Sequence, residues 1–358
     1  MESKRPWTEQ EFIEQIKGGQ LVFPPATLEY FPLPEDLRLD GGISVTWFDR
    51  TVDFAFEYKV LSTPKTLDEA TMKVIDRLTG HELLPMVVVP YLSEDALNTL
   101  HSRRVSGLDL CGNGLIIAPD NFWLRNAGKS NQFKSSLPLR NVFRGTSSLV
   151  ARCLLLKESF ETLAELQEFA VGLMPAAFGH RKDAILSKGT VSKVIHILEE
   201  ERIVTRKKTK ISLLSRESLL DSLESNYRKG QEKSVLGKSS FAAEDVWSKL
   251  TDSTMLHVAT GVSSASRYGL ISGIERQQLY VENLYKATEL LELKPTRLFP
   301  TIELIEDKSP VPYFDARVLG KESLASPIQT WLELSVGDSR ERVAAQQLRS
   351  SIGRKEFL

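Results

Sequence analysis

The run LLPMVVVPYL, residues 83–92, carries no charge and shows no alternation of polar and apolar positions. It is too short to cross a bilayer, so it reads as a strand buried on both faces. Such a strand needs other elements packed around it, and the flanking sequence provides them. Thr8 and Glu11 form a capping box that opens a short helix running to Ile16. The stretch GGISVTWFDRTVDFAFEYKV reads as two strands joined near residues 49–51, the second with clean alternation. Thr66 and Glu69 suggest a second capping box, for the helix LDEATMKVIDRLTG. Ser93 caps EDALNTLHSRR, and VSGLDLCGNGLIIAP reads as a hairpin turning at 112–114. The order strand, hairpin, helix, buried strand, helix implies a layered α/β domain over residues 1–145.

The 358 residues exceed one typical domain, and two or three are expected. The polar, basic segment NAGKSNQFKSSLPLRNVFRGTSS reads as a connection, after which residues 146–228 turn helical. Residues 229–240, within RKGQEKSVLGKSS, read as a second linker, and a further α/β block follows at 241–358. The fold class expected is thus α/β and multidomain.

With a formal charge of −1 the chain is not a polyanion binder in bulk, so any nucleic-acid site must come from local clustering. One cluster exists, in SKGTVSKVIHILEEERIVTRKKTKISLL at 187–214. Ser187 is a good N-cap, and Val191, Val194, Ile195 and Leu198 follow at i, i+3, i+4 and i+7 as one buried stripe. The opposite face offers Lys188, Thr190, Ser192, Lys193 and His196. Beyond an acidic run, RIVTRKKTKISLL alternates like a hairpin with Arg206, Lys207, Lys208 and Lys210 at its tip. Residues 180–210 hold nine Lys or Arg and four Asp or Glu, a local +5 in a chain of −1. Thr162 and Glu165 form a capping box for the preceding helix TLAELQEFA, so the segment reads as a winged helix–turn–helix over 146–228. The intervening VGLMPAAFGHRKDAIL, 171–186, is longer than an ordinary turn, with room for a short helix at 181–186.

Three further motifs give a family resemblance. LLPMVVVPYLSEDALNTLHSRRVSGLDLCGN, then SKGTVSKVIHILEEERIV, then HVATGVSSASRYGL, LYVE and FDARVLGKESLASPIQTWLEL together resemble regulators of the AbiEi antitoxin type, from type IV toxin–antitoxin systems. The resemblance covers roughly residues 83–348. It implies a bacterial DNA-binding repressor of its own operon, encoded beside a nucleotidyltransferase-like toxin, with a C-terminal domain of nucleotidyltransferase-like shape. The expected partners are double-stranded DNA and that toxin, homodimer formation being left open.

Two enzymatic readings compete with this one. In VDFAFEYKV, alternation puts Asp53, Glu57 and Lys59 on one face, and with Asp40 upstream the spacing resembles the PD-(D/E)XK nuclease core. There carboxylates hold a divalent metal, so magnesium is the one cofactor this alternative requires; the leading reading expects none. A polar strand face with a Glu–Lys pair accounts equally for the pattern, and a degenerate nuclease-like scaffold is the expectation for 1–145. TGVSSAS is comparable with the Gly-Ser turn of nucleotidyltransferases, but Glu282 and Asp315 stand alone where paired carboxylates are needed. The C-terminal block is therefore expected to be catalytically silent and the protein non-catalytic.

Two cysteines, Cys111 and Cys153, exclude a disulfide framework or cysteine-rich zinc site. The five histidines lack metal-ligand spacing. No segment reads as a signal peptide or a membrane span, so a cytoplasmic location without membrane contact is expected.

Overall fold

Thr8 accepts from the Glu11 backbone N–H while Glu11 reaches back to the Thr8 N–H, the reciprocal capping box that starts α1 (Glu9–Lys17). A computed structural model describes residues 5–19, 21–133, 142–228, 230, 233–274 and 276–356. Residues 134–141 of the first expected connection, and 229, 231 and 232 of the second, lie outside the described residues. The chain divides into two compact units, Met1–Arg140 with Glu200–Arg202, and Asn141–Glu199 with Ile203–Leu358.

The first unit is built on a seven-stranded sheet whose spatial order follows the chain: β1 (Thr27–Phe31), β2 (Gly41–Trp47), β3 (Arg50–Tyr58), β4 (Leu84–Val89), β5 (Ser106–Asp109), β6 (Gly114–Ala118) and β7 (Phe122–Asn126). Pairing is antiparallel except β3–β4 and β4–β5, which are parallel across the crossover helices α2 (Pro64–Arg77) and α3 (Glu94–Ser102). The apolar run around β4 is explained by layering. Met86 and Val88 pack with Phe12, Ile16, Phe54 and Phe56 on the α1 face. Val87 and Val89 pack with Leu67, Val74, Leu97 and Leu100 on the α2–α3 face. Residues 86–89 therefore meet apolar partners on both faces of the sheet.

One local expectation is corrected, and the hairpin expected in VSGLDLCGNGLIIAP is present as β5 and β6. Helix α2 starts at Pro64 with Thr63 as its cap, accepting from Thr66 N–H at 3.2 Å, so Thr66 is inside the first turn. The LDLCGN motif is a clamped turn: the buried Asp109 carboxylate accepts from the backbone N–H groups of Leu92, Cys111 and Asn113 at 2.7–2.9 Å.

The second unit opens with α4 (Ser148–Leu156), β8 (Ser159–Phe160), α5 (Leu163–Gly172), α6 (Lys182–Ile185), α7 (Lys188–Glu200), β9 (Val204–Lys207), β10 (Lys210–Leu213) and α8 (Arg216–Asn226). The three strands form an antiparallel sheet in the order β8-β10-β9. A second seven-stranded sheet is built from β11 (Ser234–Lys238), β12 (His257–Ala259), β13 (Gln277–Val281), β14 (Lys294–Pro295), β15 (Ile302–Glu306), β16 (Arg317–Leu319) and β17 (Glu322–Leu324), in the order β14-β11-β15-β13-β12-β17-β16. Helices α9 (Ala243–Asp252) and α11 (Leu284–Leu290) pack on one face of it. Helices α10 (Gly261–Arg267), α12 (Pro327–Ser335) and α13 (Ser339–Gly353) complete the unit.

The expected linker 229–240 is corrected in part, because Ser234–Lys238 is a strand paired on both sides, with β14 and β15. Its Lys, Gly and Ser content disguises a strand with few apolar side chains. The helical segment and the C-terminal block belong to one unit, and one core runs through Leu149, Val150, Leu154, Leu166, Val194, Ile195, Leu220, Trp331 and Leu348. The insert 171–186 contributes to that union. After a 3-10 turn (Ala176–Arg181), α6 falls within the expected short helix, and Phe178 packs with Val258, Tyr280, Ile305 and Tyr313.

Candidate nucleic-acid interface

Ser187 accepts from the Thr190 backbone N–H at 3.2 Å and so starts α7. Val191, Val194, Ile195 and Leu198 are all buried, which fixes the rotation of the helix. That rotation leaves Lys188, Lys193 and His196 exposed, with Thr190 and Ser192 half-buried. Thr190 is engaged locally, its hydroxyl 3.1 Å from that of Ser187.

The β9–β10 hairpin is closed by Lys208 and Thr209, with Lys208 at φ +58°, a backbone region uncommon for a residue with a Cβ. Phe160, Val204 and Ile211 bury the inner face of the small sheet. Lys207 and Lys210 stand directly opposite one another, a like-charge pair that costs stability. Glu161 partly offsets this by pairing with Lys210 at 2.7 Å. That hydrogen bond and the Glu161 charge hold the Lys210 pKa above its usual value. Lys207 and Lys208 are exposed, Arg206 is half-buried, and among the described residues none of the three pairs with a carboxylate.

Helix α7 and the hairpin meet the start of α5 at a cleft of about 530 Å³ lined by Thr162, Leu163, Lys188, Ser192, Arg206 and Thr209. The exposed lining is almost wholly apolar, so Lys188 and Arg206 border this space chiefly with their aliphatic stems. Thr162, Leu163 and Thr209 were not singled out from sequence. The Thr162 capping motif was visible, but its placement beside Lys188 depends on how α5 and α7 pack.

The second constellation lies in the first unit. Asp40 immediately precedes β2, and its Oδ2 accepts from the Tyr58 N–H at 2.7 Å. Glu57, near the end of β3, is 1% exposed, with Lys59 Nζ and Lys73 Nζ each 2.6 Å from one of its oxygens. Burial, and then repulsion from Glu57, raises the Asp40 carboxyl above its ordinary range against the Tyr58 hydrogen bond. Partial burial, then Asp40 and Glu57, does the same to Glu9. Asp40, Glu57 and Lys59 are thus brought together, and Lys73 and Glu9 join them from α2 and α1.

Asp53 does not join them. It is exposed, accepts from Ser44 Oγ at 2.6 Å, and stands four residues from Glu57, roughly 13 Å along a strand. Among the described residues no three His, Cys, Asp or Glu side chains lie close enough to hold a metal ion. Both Glu57 oxygens are held by ammonium groups and Asp40 Oδ2 by the Tyr58 N–H, so in this arrangement the two carboxylates do not fit a magnesium ion.

In the C-terminal block, the turn at Thr260–Gly261 is filled from within. The Thr260 hydroxyl donates to buried Glu333, and Gln278 Oε1 accepts from the Val262 N–H at 3.3 Å. Asp315 pairs with Arg317 at 3.1 Å, and Glu282 accepts from the Leu256 N–H at 3.3 Å. No helix among the described residues is long and apolar enough to cross a membrane. Comparison with models of known families, with curated proteins and with solved structures returned no match.

Proposed function

We propose that this chain is a cytoplasmic DNA-binding transcriptional regulator of antitoxin type, repressing its own operon and counteracting a nucleotidyltransferase-like toxin. The observation that carries the DNA-binding part is the exposure of Lys188, Lys193 and His196 on α7 together with Lys207 and Lys208 on the hairpin, all within the one compact unit. The order helix, strand, helix, helix, hairpin, with the sheet order β8-β10-β9, supports reading residues 146–228 as a winged helix–turn–helix. On this reading α7 enters the major groove with Lys188, Ser192, Lys193 and His196, while Arg206, Lys207 and Lys208 hold flanking phosphates. The antitoxin role rests on the family resemblance, as does the nucleotidyltransferase-like shape assigned to the C-terminal block.

The test is a gel-shift titration of the full chain against DNA from upstream of its own gene, at several salt concentrations. A complex at low salt whose affinity falls steeply as salt rises supports the reading. Absence of any complex at low salt overturns it.

A second reading, a metal-dependent nuclease in the first unit, is favoured by one observation. Asp40 precedes β2 and Glu57-x-Lys59 closes β3 within the order α1-β1-β2-β3-α2-β4, with Asp40 and Glu57 coupled electrostatically. Plasmid cleavage with magnesium or manganese, abolished in Glu57→Gln and Lys59→Ala, would place this reading first.

A further inference from the structure

Arg152, on α4, is 2% exposed. A buried guanidinium is normally paired, because an isolated charge in the interior is costly. Here no carboxylate lies within ion-pairing distance among the described residues. Its Nη1 makes one long hydrogen bond to the Val311 carbonyl at 3.4 Å, and its Nε has no partner. Glu333 acts on it only from a distance, being held by Thr260 and Gln329. Burial lowers the guanidinium pKa to about 10, so the group stays a cation at neutral pH.

Arg152 lines a cavity of about 250 Å³ within the second unit, together with Arg144, Ser148, Tyr227, Arg228 and Gln329. Gln329 is also 2% exposed, and its Oε1 is a second buried polar atom without a partner. Asp307 is the one carboxylate among the described residues that line the space, and its Oδ1 already accepts from the Ser309 N–H at 2.7 Å. Among the described residues the lining therefore brings three guanidinium groups to one space with a single acid, while Arg152 Nε and Gln329 Oε1 are shut away behind it.

We propose that this cavity binds a small organic oxyanion, a phosphate monoester or a carboxylate. Its charge sits against the guanidinium groups of Arg144, Arg152 and Arg228. Bidentate pairing of a guanidinium with a phosphate or carboxylate supplies the geometry, and the flanking tyrosines form walls against a compact ring or chain. The cavity does not overlap the α5–α7 cleft, so the inference stands apart from DNA binding.

Thermal unfolding of the full chain, titrated with inorganic phosphate, AMP and succinate at ionic strength held constant with sodium chloride, tests it. At least one probe raises Tm saturably, and which one distinguishes phosphate from carboxylate. Arg152→Met abolishes that response and raises the Tm of the ligand-free protein, since an uncompensated buried charge is gone. If Arg152→Met does not fold, Arg228→Ala decides, weakening the apparent affinity about tenfold. Lys207→Ala/Lys208→Ala keeps the full response, which separates the cavity from phosphate binding on the hairpin. The proposal is overturned if no probe exceeds the chloride control, the cavity then holding only water. It is equally overturned if the response survives Arg152→Met, or survives Arg228→Ala undiminished where Arg152→Met does not fold, or disappears with the two lysines.

Discussion

Lys210 Nζ lies 2.7 Å from Glu161 Oε1, so one of the four cations at the hairpin tip is already engaged by the protein itself. Lys207→Ala/Lys208→Ala should therefore lower the salt slope of DNA binding by about two, and Lys210→Ala by less than one. Glu161→Gln releases Lys210 and should raise affinity modestly at low salt. A salt titration of the wild type and the three variants checks the order.

Glu57 is buried between two ammonium groups, each on a side chain about a third exposed. Glu57→Ala strands both lysines beside a void and should cost about 2–3 kcal/mol, below the full range for a buried pair because the lysines can turn to solvent. Glu57→Gln should cost less, since the amide keeps the shape. Urea unfolding of the two variants measures the difference, and equal losses would mean that packing rather than charge decides.

His257 gives a pH dependence with a definite sign. Its Nδ1 is 2.7 Å from the Met255 carbonyl, which can only accept, so Nδ1 carries the proton, and the buried Nε2 has no partner. Burial holds the imidazole below its ordinary value of 6.5, against the pull of the Met255 hydrogen bond. The unfolded chain thus takes up the proton at higher pH than the folded one. This contribution is fully present above pH 6.5 and declines as pH falls toward and through the folded-state value. Urea midpoints between pH 8 and about pH 5 should fall less in His257→Gln than in the wild type, the difference isolating His257 from the carboxylates.

Phe178 anchors the insert to the C-terminal sheet, at 8% exposure among Val258, Tyr280 and Ile305. Phe178→Ala should cost about 3 kcal/mol and lower Tm by several degrees. An unchanged Tm would mean that the insert is held by its backbone bonds, such as Asp315 N–H to the Leu173 carbonyl at 3.1 Å.

The elements most legible in the sequence were those whose signals are local. The Thr8–Glu11 box, the Ser93 cap and the α7 stripe each lie within one or two turns of chain, and the structure reproduces them. What the sequence concealed depends on distant partners. Lys73 reaches Glu57 only because the α2 crossover folds back over the sheet. Asp53 and Glu57 share a strand face, but four residues of strand rise hold them roughly 13 Å apart, so a common face does not make a common site. Thr66 stands three residues ahead of an acid, the spacing of a capping box, and this local signal masks Thr63, the true cap. The α5–α7 cleft joins residues more than twenty positions apart, so its parts were readable and their meeting was not.

The strand Ser234–Lys238 lies between β14 and β15. A fragment beginning at residue 241 would lack it, leaving the backbone amides and carbonyls of both neighbours unpaired and ready to recruit other chains. Dissecting the chain at that point would yield a sticky remnant instead of a working module, and binding attributed to such a fragment would report an open sheet edge. The natural point of division is near residue 140, where the two units part.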